Sequence, residues 1–260
     1  MRKALVTAVF VTVAMLQTGL AGPAVAQNAA ALPPFTATAV QVLPDQTEMT
    51  GLIAKSGTDM RLEFDQGGVR LIRILRPTEG VMRILDPQTQ TYMEFTGAPV
   101  PPDAVDGAAS PCPVQPTPEL RCEPSGQSMT ISGIRTDGWV ISTPQQPRPQ
   151  VVYWDTQRRK ALREEYPDGS VLQMSFVAME TVSGRSAEHW KMELTAQGRE
   201  PLTGDWWFDT ELRVVLREIL PDGSERRLEN IVVGPVDPAL FEVPAGWQKQ
   251  EPPAAPAPQN

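Results

Sequence analysis

The chain has 260 residues, 31 of them acidic and 23 basic, and a formal net charge of −8. That balance repels phosphate backbones and anionic lipid surfaces, which excludes nucleic acid as a partner. A single histidine and two cysteines are too few for an ordinary metal centre, so no cofactor or metal is expected.

Arg2 and Lys3 precede an apolar run from Ala4 to Leu20, and Ala24-Val25-Ala26 supplies the small residues that a signal peptidase reads. Residues 1–26 therefore read as a cleaved secretory signal peptide, with the mature chain beginning at Gln27. No cysteine stands at the cleavage point to carry a lipid anchor, and no later stretch approaches the roughly 18 to 20 apolar residues of a membrane span. The expectation is a periplasmic protein without a transmembrane segment, its net charge about −10 once the two basic residues of the leader are gone.

From residue 35 to 96 the pattern is strand after strand. Met60, Leu62 and Phe64 alternate with Arg61 and Glu63. A β-branched run from Val69 to Leu75 follows Gln66-Gly67-Gly68, and Met82 with Ile84 leads to a turn at Asp86-Pro87. Tyr92 and Glu94 then face away from Met93 and Phe95, completing a meander of period two. Arg61, Arg70, Arg73, Arg76 and Arg83 punctuate these strands. Their plain reading is a solvated face that shields sheet edges, and the sharper one is that one or two guard a cavity and pair with an acidic headgroup.

Residues 97–127 form a proline-rich insertion, and residues 248–260 a proline and alanine tail that reads as disordered. Cys112 and Cys122 lie ten positions apart inside the insertion. In an oxidising compartment they read as a disulfide, since a metal site needs more ligands and a redox pair a closer spacing. The blocks on either side are two lobes of one sheet or two small domains.

The second block, near 128–247, repeats itself. Tyr153-Trp154-Asp155-Thr156, Leu162-Arg163-Glu164 and Pro167-Asp168-Gly169-Ser170 return 54 residues later as Trp207-Phe208-Asp209-Thr210, Leu216-Arg217-Glu218 and Pro221-Asp222-Gly223-Ser224. One supersecondary unit is used twice, and each copy opens on a Ser-Gly pair, Ser132-Gly133 and Ser183-Gly184. The Pro-Asp-Gly-Ser segments are hairpin turns, with proline presetting the first turn angle and glycine accepting the positive one. Trp139, Trp154, Trp190, Trp206, Trp207 and Trp247 are assigned mostly to the core.

No catalytic constellation emerges, and the protein is expected not to be an enzyme. His189, between Glu188 and Trp190 on a strand, reads as an exposed, unbuttressed imidazole unsuited to a triad. Asp155, Asp209, Glu164 and Glu218 recur with the repeat and so read as turn and strand-edge residues rather than a glycosidase pair. The methionines lack the clustering of copper carriers and read as adaptable wall material.

Met60-Arg61-Leu62-Glu63, Gly80-Val81-Met82-Arg83-Ile84-Leu85-Asp86-Pro87 and Thr91-Tyr92-Met93-Glu94, with the strand Thr181-Val182-Ser183-Gly184-Arg185 and the turn from Asp237 to Trp247, resemble the periplasmic lipoprotein-carrier superfamily (LolA-like and LolB-like) and its secreted relatives. The resemblance spans most of residues 36–247. It implies a mainly β domain over 27–247, an incomplete antiparallel β-barrel with few short helices, whose curved sheet holds an apolar cavity. It implies a lipid or lipoprotein acyl chain as ligand, with an envelope protein as the alternative partner. The insertion, the tail and the lack of helix-period lid segments depart from the carrier pattern. Alternation places Met60, Leu62, Phe64, Leu71, Ile74, Met82, Ile84, Met174 and Phe176 on the cavity lining.

Overall fold

The computed structural model describes residues 32–66, 68–100, 110–113 and 118–251. The signal peptide assigned to residues 1–26, the centre of the insertion and the last nine residues of the tail lie outside the described residues.

The first lobe is a meander of six strands: β1 Phe35–Val42, β2 Glu48–Ser56, β3 Asp59–Gln66, β4 Val69–Arg76, β5 Val81–Asp86 and β6 Thr91–Thr96. The second has nine: β7 Arg121–Ile131, β8 Ile134–Ser142, β9 Gln150–Asp155, β10 Lys160–Glu165, β11 Val171–Val182, β12 Arg185–Thr195, β13 Leu202–Asp209, β14 Val214–Ile219 and β15 Glu225–Val233. β15 pairs antiparallel with β1, so the lobes form one sheet in the order β6 to β1 followed by β15 back to β7. A last strand, β16 Gln248–Gln250, adds to β6 in parallel, so the first three residues of the tail form a strand. β7 and β16 are the two ends of the sheet, which therefore stays open. β7 starts at Arg121, inside the proline-rich insertion, and the disulfide between Cys112 and Cys122 ties residues 110–113 to it.

The sequence repeat is a repeat of structure. Asp155 Oδ1 accepts hydrogen bonds from the backbone N–H of Gln157 and Arg158, and Asp209 Oδ1 does the same for Glu211 and Leu212. In the two Pro-Asp-Gly-Ser turns, Ser170 donates to Asp168 and Ser224 donates to Asp222, each at 2.6 Å. The Ser-Gly pairs are two-residue hairpin loops with both residues at positive φ, 48° and 79° in one and 51° and 76° in the other. That backbone matches the right-handed twist of the flanking strands. Ser132, between β7 and β8, accepts from Phe176 N on β11, while Ser183, between β11 and β12, donates to Leu228 O on β15. Each hairpin tip thus rests on the strand four places further along the sheet, which coils the lobe the same way twice.

The outer face of the first lobe is sealed. A 3-10 turn at Pro238–Phe241 places Phe241 and Leu240 over Ala54, Ile72, Ile74 and Leu85, with Trp247 beside them. Arg61 is buried there, donating to Leu240 O at 2.8 Å and pairing with Glu63 at 2.7 Å. Trp190 and Trp207 are buried, Trp206 and Trp247 are partly buried and pack against the core clusters, and Trp139 and Trp154 are partly buried.

Candidate ligand-binding site

Directly opposed residues of neighbouring strands share a face, as do residues two apart on one strand. One row runs Phe176, Trp190, Trp206, Glu218, Arg226, Gln41, Met49 across six pairings from β11 to β2. Another runs Ala37, Ile53, Leu62, Arg73, Ile84, Met93 from β1 to β6. Ala37 and Gln41 lie four apart on β1, so both rows belong to one face. It carries apolar and aromatic side chains from both lobes.

Two glycines show that this face is concave. A Cβ on Gly51 would meet the Glu63 carbonyl oxygen at 1.7 Å, and one on Gly204 would meet the Ile219 carbonyl oxygen at 2.6 Å. Gly51 pairs with Ala39, and Gly204 with Met192, which puts both absent side chains on the same face. At each corner the neighbouring strand folds over the glycine toward that face, the use of strand glycine that lets a sheet bend sharply. Beyond Leu62, β3 no longer pairs with β2. A cavity of about 700 Å³ lies in the trough, lined by Ala39, Met49, Gly51, Leu62, Phe64, Val215 and Leu228, with Arg73, Glu218 and Arg226 at its walls.

Two cations on this face stand out. Arg61, Arg70, Arg76 and Arg83 each pair with a carboxylate. Arg73 pairs with none among the described residues. Its guanidinium carbon lies 5.6 Å from the centre of the Phe64 ring, and its Nε is buried without an acceptor. A buried donor left unpaired costs about 1–3 kcal/mol. Lys160 projects onto the rings of Trp206, 2.9 Å from the centroid, and Phe208, 4.2 Å away. Burial pushes its ammonium down to about 7, against the opposing pull of Glu218 and Glu188.

Of the nine residues expected to line a cavity, Leu62 and Phe64 do line this one. Met60, Leu71, Met82, Ile84 and Phe176 share its face, and Met174, two residues before Phe176, lies in the core with Trp190. Ile74 does not belong with them. It pairs with Arg61 and Arg83 and is buried on the outer face beneath Leu240 and Phe241. The alternation through Leu71, Arg73 and Leu75 puts Arg73 inward in its place.

His189 is also placed differently from the exposed position read in the sequence. Its side chain is 14% exposed, stacked on Trp207 at 4.3 Å, with Nδ1 2.9 Å from Glu180 and Nε2 2.8 Å from Asp205. The Trp207 N–H, and after it His189, hold the Glu180 carboxyl below the usual carboxylate range. The repeated carboxylates act as turn and strand residues: Asp155 and Asp209 cap turns, Glu164 accepts from Gln150, and Glu218 faces Arg226 at 3.7 Å. Arg158 bridges Asp155 and Glu188, each at 2.8 Å. Among the described residues no group of histidine, cysteine and carboxylate side chains is arranged to hold a metal, and no helix is long and apolar enough to cross a membrane.

These features define a class: an open, strongly curved antiparallel sheet with a sealed outer face on one lobe and an apolar trough within. Solved structures similar to the chain include the LolA superfamily protein NE2245 from Nitrosomonas europaea, 7% identical with a TM-score of 0.38 over 81% of this chain and 90% of that one. A putative outer membrane lipoprotein-sorting protein domain from Vibrio parahaemolyticus is 12% identical, with a TM-score of 0.33 over 80% and 89%. The Pseudomonas aeruginosa MucA/MucB complex is matched at 12% identity and a TM-score of 0.32, over 83% of this chain and 57% of that one. No protein-family model matches the sequence, and no curated protein matches it.

Proposed function

We propose that the protein is a non-enzymatic periplasmic binding protein that holds the apolar part of a lipid or of a lipoprotein acyl chain on its concave face. The observation that carries this reading is the trough of about 700 Å³ walled by Leu62, Phe64, Met49 and Leu228, a size within the usual range of ligand pockets. Each methylene moved out of water contributes roughly 0.8 kcal/mol, so a chain of about 14 contributes about 11 kcal/mol before association costs. That suffices for a dissociation constant of about 10–100 µM with no polar recognition. The sequence resemblance to the lipoprotein-carrier superfamily supports the same reading.

Native mass spectrometry of the protein from a periplasmic extract, followed by organic extraction and lipid analysis, tests it. Bound lipid, or uptake of an apolar fluorescent probe by the emptied protein, is the expected result. A clean protein that takes up no probe removes the proposal. The second reading, an envelope protein contact, is favoured by one feature, the apolar surface of β11, where Val177 is 51% and Met179 55% exposed. It takes the lead if probe uptake fails.

A further inference from the structure

We infer that the trough selects an amphiphile with a single anionic head, a carboxylate or phosphate, and that Arg73 is the residue that binds that head. The inference rests on the binding reading above and narrows its ligand.

The four other arginines of β3 to β5 each pair with a carboxylate, although Arg83 Nη1 is likewise buried without a partner. Glu63 takes Arg61 and Arg70, Asp59 and Glu79 take Arg76, and Glu94 takes Arg83. Arg73 faces the opposite way, into the cavity, because it pairs with Leu62 and Ile84 rather than with Arg61 and Arg83. The acidic residues at the same cavity are otherwise engaged: the Glu63 carboxylate with Arg61 and Arg70, Asp65 with Gly68 N, and Glu218 with Arg226. Among the described residues no carboxylate pairs with Arg73.

The atom without an acceptor is Nε, which is closed off from solvent, so an anion in the trough meets it on a small turn of the side chain. Nε and the adjacent Nη form the edge of the guanidinium that grips a carboxylate or phosphate with two parallel hydrogen bonds. The Phe64 ring lies 5.6 Å from the guanidinium carbon, and Leu62 and Phe64 stand next to it on the cavity wall. A charged fork beside an apolar trough fits a molecule whose anion and hydrocarbon are contiguous. The negative charge of the whole chain does not oppose this, since exposed charges are screened within about 8–10 Å of salt solution while a partly buried contact is not.

The test compares cis-parinaric acid with its methyl ester on the wild type, Arg73→Gln and Arg73→Lys, each checked for native near-ultraviolet circular dichroism. The acid is expected to bind the wild type about 10- to 100-fold more tightly than the ester. Arg73→Gln should lose that preference, acid and ester then binding within about twofold of each other, and Arg73→Lys should keep part of it. Equal binding of acid and ester by the wild type overturns the inference while leaving the binding reading intact. Failure to take up either compound overturns both. A preference that survives in Arg73→Gln assigns the anion to another residue and refutes the role of Arg73. Inorganic phosphate and acetate as competitors separate the sources: displacement of the acid by either at millimolar concentration would mean a site for free anions, and no displacement is expected for a site that needs the attached chain.

Discussion

Replacing Gly51 by alanine tests the corner on which the trough depends. The added Cβ would lie 1.7 Å from the Glu63 carbonyl oxygen, 2.6 Å from its carbon and 3.2 Å from the Phe64 Cα. Real Cβ contacts essentially never fall below 3.0 Å, so β3 must retreat by about 1.3 Å, and the obstacle is backbone that no rotamer change can move aside. Overpacking of this kind costs about 1–3 kcal/mol and more where the surroundings cannot yield. Alanine also restricts the unfolded chain, which returns about 0.4–1 kcal/mol. A net loss of about 3 kcal/mol is expected.

At 2–4 °C per kcal/mol for a chain of this size, Tm should fall by about 6–12 °C in calorimetry or circular dichroism. Two internal controls fix the interpretation. Gly57 has a φ of 57°, and a Cβ there would meet nothing within 4 Å, so Gly57→Ala meets only left-handed strain of about 1–2 kcal/mol. Gly204→Ala should fall between the two, since its carbonyl contact is longer at 2.6 Å and its other neighbour, the Met192 methyl, can turn away. If Gly51→Ala unfolds at the same temperature as Gly57→Ala, β3 does not fold over Gly51, and the account of the concave face is wrong.

Trp190→Ala should cost about 3–5 kcal/mol, because the side chain is 2% exposed, meets Phe176 edge-on and donates to Glu188; urea unfolding with an unchanged slope would measure it. Lys160→Met should stabilise the fold near pH 6. The Lys160 ammonium is held down to about 7 from its ordinary 10.5, so between those values the unfolded chain carries the extra proton and stability rises with pH. The advantage of methionine, on the order of 3 kcal/mol after the offset from the two rings, should be full below pH 7 and fade toward pH 10.5; a constant difference across that range would refute it. Replacing Cys112 and Cys122 by serine opens a ten-residue loop and should cost about 3 kcal/mol in the loop-entropy account, read as a lower urea midpoint than that of the oxidised protein.

The repeat was readable because its determinants are local. Asp155 and Asp209 cap the turns that follow them, and each Pro-Asp-Gly-Ser segment closes its own hairpin. The face of Ile74 was not readable for an equally physical reason. β4 reads Leu71-Ile72-Arg73-Ile74-Leu75, apolar on both sides, since Leu71 and Leu75 face the trough while Ile72 and Ile74 face the covering segment from Val236 to Trp247. A strand buried from both sides has no alternation to read. The same ambiguity hid Arg73 among five arginines of similar spacing. Only the register with Leu62 and Ile84, set by neighbouring strands rather than by β4 itself, separates it from the others. The setting of His189 is not legible locally, because the partners that hold it come from β11 and β13, nine and sixteen residues away.

The two faces of the first lobe differ in how their apolar residues are covered. On the outer side of the first lobe Arg61, Arg76 and Arg83 each meet a carboxylate, and the chain folds its own Leu240 and Phe241 over the apolar residues between them. One donor on that surface, Arg83 Nη1, is also buried without a partner beside the Glu94 pair. On the inner side the sheet is bent at Gly51 and Gly204, apolar side chains line a trough that no segment among the described residues is seen to fill, and a guanidinium Nε is buried without an acceptor. A fold selected only for stability would lose little by replacing Arg73 with an apolar residue, since that change removes an unpaired donor and adds to the walls. Arg73→Leu should therefore keep or raise Tm while abolishing the preference for an acid over its ester. A variant that gains stability and loses selectivity marks the trough as a site held open for a ligand.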